Sequence, residues 1–269
     1  MKNRFPEIIL FSNNVTALVT AGNYRYIGQT DLYNPLKTYT FTSSINMKFI
    51  YQTWWKVLAV VLILYTLIAG LLLGVPRLPI VHETIRNTYF HVPMWIAMFS
   101  VFTISVIYSI KYLNTGKEEY DLIAVECVNT GTFFFILGLI TGMLWANYTW
   151  GSFWSNDPKQ NSAAIAFLLY CAYAVLRNSI DEEQKRAKIS AIYNIFAFPI
   201  MIVLIMVLPR MTDSLHPGNG GNPAFSKLTD NRMRYVLYPA FIGWALIAVW
   251  IASLRYRIRL IEYKKNEIN

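Results

Sequence analysis

The chain has 269 residues, of which 55% are hydrophobic, 16% aromatic and only 14% charged. Soluble domains average about 25% charged residues, and apolar runs here recur near or above the roughly 18-residue threshold for a transmembrane helix. This composition excludes a cytosolic enzyme, a nucleic-acid module and a disordered chain. In a membrane protein, the net charge of +9 indicates cytoplasmic loops rather than a polyanionic partner.

The hydropathy pattern predicts an all-α polytopic membrane protein with six transmembrane helices. Their approximate bounds are 56–74, 88–110, 123–146, 161–177, 189–208 and 235–254. Gly138 and Gly142 form a small-xxx-small step that favours close helix packing in the third helix. Cys127 and Cys171 each lie inside an apolar run, so the sequence predicts neither a disulfide framework nor a thiolate zinc site.

Lysine and arginine at the helix ends predict the orientation. One face collects the basic residues of 48–56, 111–117, 177–188 and 255–265, which number thirteen. The other collects those of 77–86, 159 and 210–234, which number seven. Because the richer face is normally cytoplasmic, both termini are expected inside, and the loops 75–87, 147–160 and 209–234 are expected outside.

Residues 1–46 differ in kind from the rest of the chain, since they have mixed polarity and no apolar run long enough to span a membrane. They lack the features of a signal peptide. We treat them as an N-terminal extension before a membrane domain over 47–257 and a cytoplasmic tail over 258–269. One hypothesis is that translation normally starts at Met47, and an intact mass that retains Asn3 or Arg4 would contradict it.

Two histidines are predicted to lie on the same external face. His91 opens the second helix in Tyr-Phe-His-Val-Pro, and His216 lies in the last external loop in Leu-His-Pro. A histidine at a helix end is often only an interfacial hydrogen-bonding group, but one at membrane depth is costly and marks a functional candidate. Two neutral imidazoles on opposite sides of a flat macrocycle give six-coordinate iron. The third histidine, His82, is expected to be solvated.

The middle external loop contains the strongest pattern, because residues 145–154 include five aromatic side chains. An aromatic belt at the membrane interface explains the first two. The later three, Trp150, Phe153 and Trp154, favour one side of a short amphipathic helix that would bind a flat apolar ligand. Asp157, followed by proline, also fits a helix N-cap.

This loop, Trp150-Gly151-x-x-Trp154-x-x-Asp157-Pro-Lys, resembles the tryptophan-rich signature of the haem-handling proteins of cytochrome c biogenesis, the CcmC, CcmF and CcsA group. His91 and His216 resemble the two external histidines of that family, and the helix number points to CcmC. The resemblance covers 47 to about 257. Where the family has its third tryptophan, this chain has Asn156, which leaves a role for that ring open.

The resemblance implies that the chain binds haem b and delivers it to a periplasmic haem chaperone resembling CcmE. His91 and His216 would be the axial ligands, and the haem-binding surface would comprise Trp150, Gly151, Phe153, Trp154 and Asp157. It further implies the bacterial inner membrane, an associated ABC-type ATPase complex and a small membrane subunit as partners, with no nucleic acid. The sequence contains no Cys-x-x-Cys-His, so it predicts no covalent haem attachment to this chain.

Three alternatives stay open from the sequence. We expect a haem-transfer protein that is not an enzyme. A CcsA-like component of a haem-attachment synthase would share the same motif, so a synthase-like role is the first alternative. A b-type redox protein normally needs histidine pairs buried within the helices, and this chain offers one external pair. A small-solute transporter would show internal repeats and midplane charges, which the sequence does not display.

Overall fold

The computed structural model describes residues 8–12, 15–20, 23–28, 48–76, 81–216 and 231–268. The chain divides into two compact units, Met1–Gln52 and Thr53–Asn269. In the first unit, β1 (Ile8–Ser12), β2 (Val15–Thr20) and β3 (Asn23–Gly28) form an antiparallel sheet in the order β1-β2-β3. A helical turn follows at Lys48–Tyr51. This sheet was not expected from the sequence, although β-branched and aromatic residues, which favour strands, recur in all three segments.

The described secondary structure of the second unit is helical, as the hydropathy pattern predicts. Its six helices are α1 (Trp54–Leu72), α2 (Thr88–Thr115), α3 (Glu118–Trp150), α4 (Pro158–Asn178), α5 (Glu183–Ile202) and α6 (Asn231–Ile268). A 3-10 turn at His82–Asn87 leads into α2. After α5 the chain continues through a π-helical turn at Val203–Val207 and a 3-10 turn at Leu208–Arg210.

Five of these helical segments are long and apolar enough to cross a membrane, which fits a multi-pass membrane protein. The segments are Trp54–Leu72, His82–Thr115, Glu118–Trp150, Glu183–Arg210 and Asn231–Lys265. Among the described helices of this unit, α4 is the one outside that set. Its 21 residues suffice in length, but it opens with Pro-Lys-Gln-Asn-Ser, and these polar residues lower its mean hydropathy.

Small residues allow the helices to approach one another closely. A Cβ at Gly131 of α3 would lie 2.5 Å from the Phe102 ring of α2, and that ring stacks on Tyr170 of α4 with centroids 3.9 Å apart. In the buried interior, the Asn194 amide of α5 donates to the hydroxyls of Ser105 and Ser109 on α2, at 2.9 and 3.0 Å. Hydrogen bonds of this kind join helices where water is absent.

Two ion pairs tie the helices together at the end of the bundle that the charge pattern predicts to be cytoplasmic. Arg177 of α4 donates to Asp121 of α3 at 2.9 Å, and both side chains are largely buried. Arg255 of α6 donates to Glu126 of α3 at 2.7 Å. These contacts fix α3, α4 and α6 relative to one another at that end.

At the opposite end, an apolar cluster fixes the start of α2. It consists of Ala69, Ile85, Tyr89, Met233, Val236 and Leu237, which come from α1, the 3-10 turn, α2 and α6. Arg86 of the 3-10 turn donates to the backbone carbonyl of Gly70 at 3.0 Å. The first turns of α2, which carry His91, are therefore rigidly supported.

Candidate functional site

His91 lies in the first turns of α2, against α3. Its Nδ1 is 3.0 Å from the hydroxyl of Thr141, and its Nε2 accepts a hydrogen bond of 3.2 Å from the indole N–H of Trp95. The rings of Trp95 and Trp145 both meet the imidazole edge-on, each with a centroid separation of 5.9 Å. The histidine is therefore held by hydrogen bonds on both ring nitrogens and by two aromatic neighbours.

The two glycines of the small-xxx-small step make room for these rings. A Cβ at Gly142 would lie 2.8 Å from Cε1 of His91, and a Cβ at Gly138 would lie 3.1 Å from the indole of Trp95. The predicted role of this step in close packing is confirmed. The side chains that fit against these glycines are His91, the candidate ligand, and Trp95, which donates a hydrogen bond to it.

The aromatic segment begins where α3 ends. Gly151 has a φ of +79°, a left-handed conformation that glycine adopts at little cost, and it terminates α3 directly after Trp150. Residues 151–157 are not helical, so the predicted short amphipathic helix is wrong. The reason is that the left-handed turn ends the hydrogen-bond ladder, and α4 starts only after the N-cap at Asp157.

The three later rings do not share the same surroundings. Trp150 is partly buried and meets the imidazole of His216 edge-on, with centroids 4.9 Å apart. Trp154 is also partly buried, and its indole N–H donates to the side-chain oxygen of Asn161 at 3.2 Å. Phe153 is 49% exposed. Of the three, Trp150 is therefore the ring in contact with a candidate ligand.

Asn156 stands where the resembled signature has a third tryptophan, and its backbone explains the tolerance of asparagine there. Its φ is +55°, in the left-handed region that asparagine enters more readily than bulky residues. Its carbonyl accepts a hydrogen bond from Asn161 at 3.0 Å. The turn is therefore fixed by backbone geometry and not by a ring.

Asp157 joins the aromatic segment to the loop of His216. One carboxylate oxygen accepts from the backbone N–H of Lys159 at 2.9 Å, which confirms the predicted N-cap of α4. The same oxygen accepts from Nδ1 of His216 at 3.0 Å. The other oxygen accepts from the backbone N–H of Leu215 at 2.7 Å, and the Ser214 hydroxyl donates to the carboxylate. The N-cap residue of α4 thus also holds His216 in place.

The electrostatics of this anchor set the protonation states. Burial raises the pKa of the Asp157 carboxyl, but hydrogen bonds from Leu215, Lys159 and Ser214 outweigh it and hold that pKa below its ordinary value. Burial, reinforced by the charge of Lys159, lowers the pKa of His216 to about 4 despite the attraction of Asp157. At neutral pH the carboxylate is ionised and the imidazole is neutral, with its proton on Nδ1 and its lone pair on Nε2.

The structure brings the two histidine sites to the same end of the bundle. His91 contacts Trp145 and His216 contacts Trp150, and both tryptophans lie near the end of α3. Burial and the positive charge of Arg210 together lower the pKa of Lys159. His82 is exposed, as predicted. Among the described residues, no cluster of three or more His, Cys, Asp or Glu could hold a metal ion by itself.

Comparison with known proteins gives the family. The profile of "Heme exporter protein C" matches residues 31–269. The chain belongs to this family. A relative from Paracoccus denitrificans (strain Pd 1222), named "Heme exporter protein C", is 22% identical over 177 residues, which are 66% of this chain and 73% of the relative.

Other relatives are named for CcsA, which belongs to the same group of cytochrome c biogenesis proteins. A "Cytochrome c biogenesis protein CcsA" from one strain of Prochlorococcus marinus is 40% identical over 87 residues, or 32% of this chain. The protein of the same name from strain NATL1A of that organism is 34% identical over 94 residues, or 35% of this chain. The matches span under a third of these two relatives, 28% and 30% of their lengths. The resemblance read from the tryptophan-rich loop and the two histidines is thereby confirmed at the level of the family.

Sequence reasoning missed four residues of the site. Trp95 lies one helical turn after His91, and this i, i+4 spacing could have revealed it. Thr141 directly precedes a glycine of the packing step. Ser214 and Leu215 have no sequence signal, because their contact with Asp157 joins residues more than fifty positions apart.

These contacts predict the effect of Asp157→Asn. Asparagine also caps helices well, so α4 should form normally. Its amide nitrogen, however, cannot accept the hydrogen bonds of Leu215 or Ser214, and the fixed acceptor for Nδ1 of His216 becomes neutral. We expect haem affinity to fall by about tenfold, in line with the loss of outer partners of ligating histidines. Haem titration of the purified variant measures this affinity, and helicity by circular dichroism is the control for folding. If the variant binds haem with wild-type affinity, Asp157 serves only as the N-cap of α4.

Proposed function

We propose that this chain binds haem b at the external end of its helical bundle and delivers it to a periplasmic haem chaperone for cytochrome c maturation. The observation that carries the proposal is the pair of imidazoles, His91 and His216, at one end of the bundle. In each of them Nδ1 has a hydrogen-bonding partner, which makes Nε2 the nitrogen that would bind iron; at His91 this Nε2 accepts a hydrogen bond from Trp95.

The surroundings suit an iron porphyrin. Trp145 and Trp150 provide apolar surface beside the two imidazoles. The backbone N–H of Lys159 bonds to the same Asp157 oxygen as His216, so Lys159 places a positive charge beside that histidine, and a haem propionate at the rim of the macrocycle needs such a partner. Arg210 is the second candidate partner. The third basic residue that the sequence suggests, Arg77, lies outside the described residues.

The proposed binding surface also includes Gly151, Phe153 and Trp154. Gly151 allows the chain to turn sharply after Trp150, and the exposed ring of Phe153 offers apolar area at the rim of the site. Trp154 is held in place by Asn161. An edge-exposed site of this kind leaves part of the macrocycle open to a soluble partner, here a chaperone resembling CcmE.

The test of this proposal is an absorbance spectrum of the purified membrane protein. A reduced-minus-oxidised difference spectrum should show the Soret, α and β bands of a b-type haem with two axial histidines. A protein that is haem-free as isolated and does not bind added haem contradicts the proposal.

A second candidate function is a component of a haem-attachment synthase. The observation that favours it is the 40% identity with a relative named for CcsA. Co-purification from native membranes distinguishes the two. Recovery of an ABC-type ATPase, a small membrane subunit and the chaperone supports delivery, whereas recovery of a synthase partner without an ATPase supports the alternative.

We further propose six membrane spans, including α4, in the bacterial inner membrane, with both termini in the cytoplasm and the haem site facing the periplasm. The charge pattern at the helix ends supports this orientation. It also agrees with the placement of the Asp121–Arg177 and Glu126–Arg255 ion pairs at the opposite end from the histidines.

Cysteine labelling tests the orientation. A cysteine at Ser152, which is exposed after α3, should react in spheroplasts with a membrane-impermeant thiol reagent, as should one at Gly220, which lies outside the described residues. A cysteine at Ser179, exposed after α4, should react only after the membrane is permeabilised. The reverse pattern would place the histidines in the cytoplasm and refute the delivery proposal.

A further inference from the structure

One hydrogen bond at His91 occupies the atom that iron needs. The indole N–H of Trp95 donates to Nε2 of His91 over 3.2 Å, and Nδ1 lies 3.0 Å from the Thr141 hydroxyl. A tryptophan indole can only donate, so Nε2 must be the unprotonated nitrogen of the ring. The same lone pair cannot accept a hydrogen bond from Trp95 and coordinate iron.

Thr141 points to the same protonation state independently. Its hydroxyl lies 2.8 Å from the carbonyl of Leu137 and 3.2 Å from that of Gly138, and its single hydrogen is directed to these acceptors. The hydroxyl oxygen is then left to accept from the proton on Nδ1 of His91. Both partners thus select one tautomer, with the proton on Nδ1 and the lone pair on Nε2.

We propose that Trp95 is a positioning residue that holds the Nε2 lone pair of His91 when the site carries no haem and releases it when iron binds. The inference rests on the proposed function, since it requires His91 to be a haem ligand. On release the iron–Nε2 bond breaks, the lone pair stays on the imidazole, and the indole N–H bonds to it again. No electron or proton leaves the site in this exchange.

The indole of Trp95 is packed in a space formed by α3. Gly138 leaves space for the Trp95 ring, at 3.1 Å from where a Cβ would stand, and Phe135 packs edge-on against it with centroids 5.2 Å apart. A buried imidazole nitrogen without a partner is costly. A protein that must give haem away gains from a local donor, because Trp95 stabilises His91 in the state that remains after transfer.

Trp145 provides a matched comparison within the same chain. It meets His91 at the same 5.9 Å and nearly the same angle as Trp95, but its N–H donates to the hydroxyl of Thr84 at 3.1 Å. The two tryptophans therefore differ in whether they occupy Nε2 and not in how closely they pack against the ring.

The experiment is haem titration of the full chain in nanodiscs, with the rate of haem release to apomyoglobin measured alongside. Trp95→Phe keeps an aromatic ring and removes the donor, so haem affinity should rise by about two- to tenfold and release should slow by a similar factor. Trp145→Phe should show no such gain. Thr141→Val should lower the haem affinity because Nδ1 of His91 loses the hydroxyl that accepts its hydrogen bond. Thr141→Ser keeps the hydroxyl and should bind haem as wild type does.

A second measurement uses haem-free protein. With ¹⁵N-labelled histidine, the Nε2 resonance of His91 should report an unprotonated nitrogen. In Trp95→Phe it should shift toward the frequency of a nitrogen that accepts no hydrogen bond, and Trp145→Phe should not shift it in that direction. An identical Nε2 resonance in wild type and Trp95→Phe would overturn the inference, as would equal or weaker haem binding by Trp95→Phe.

The His91→Ala background separates this inference from the function on which it rests. The gain from Trp95→Phe should vanish in the double variant, and a gain that persists there overturns the inference. If His91→Ala loses haem but Trp95→Phe shows no gain, only the inference fails. If His91→Ala binds haem as wild type does, the ligand assignment fails and the inference fails with it.

Discussion

His91→Ala and His216→Ala should each lower haem retention by about tenfold or more, because iron with one protein ligand exchanges far more readily than iron with two. The structure adds a reason for His216. Its ring is held by a hydrogen bond to the buried Asp157 and by contact with Trp150, so the alanine variant loses an imidazole whose orientation is fixed. Haem content of the purified variants, with the Soret position, measures the loss.

Added imidazole provides the chemical control for this result. It should partly restore haem binding to either variant, since it fills the vacant axial position. His82→Ala should behave as wild type because that side chain is exposed. Wild-type haem content and an unchanged spectrum in both single variants would show that these histidines are not the ligands.

Replacing Trp150 and Trp154 together with alanine should lower haem affinity without unfolding the bundle. A buried apolar side chain contributes about 1.5–3 kcal/mol, which corresponds to one to two orders of magnitude in affinity. The structure predicts that the two tryptophans are not equivalent. Trp150 contacts His216, whereas the contact shown for Trp154 is with Asn161, so Trp150→Ala alone should account for most of the effect.

Trp54→Ala is the matched control for the tryptophan variants. Trp54 is 58% exposed at the start of α1, at the end of the bundle opposite the histidines, and its loss should leave haem affinity unchanged. Transfer to the chaperone should fall with affinity in the Trp150 and Trp154 variants. Full haem binding and full transfer by the double variant would remove the aromatic surface from the proposed site.

Asp157 shows how two interpretations of one residue can both hold. The sequence supports an N-cap because Asp-Pro commonly opens a helix, and the resemblance implies a role at the haem site. In the structure one carboxylate oxygen caps α4 and also bonds His216. A capping carboxylate accepts several hydrogen bonds at once, so the local and the long-range roles do not exclude each other.

The sequence by itself determined the helices and the residue types of the site. Apolar runs predicted the positions of all six helices, and five of the helical segments are long and apolar enough to span a membrane, because burial in lipid leaves a continuous apolar signal along the chain. The glycine step and the N-cap were also readable, since each depends on neighbours within a few residues. The family followed from one signature loop and two histidines.

Only the tertiary structure decided how the site is assembled. The left-handed turn at Gly151 replaced the expected amphipathic helix with an irregular segment, and the sequence pattern of three rings could not reveal this. The bonds of Asp157 to His216 and of His91 to Thr141 join residues 59 and 50 positions apart. Hydropathy and local propensity record which side chains leave water. Helix packing decides which of those side chains contact one another, and it decides which nitrogen of a histidine carries the proton.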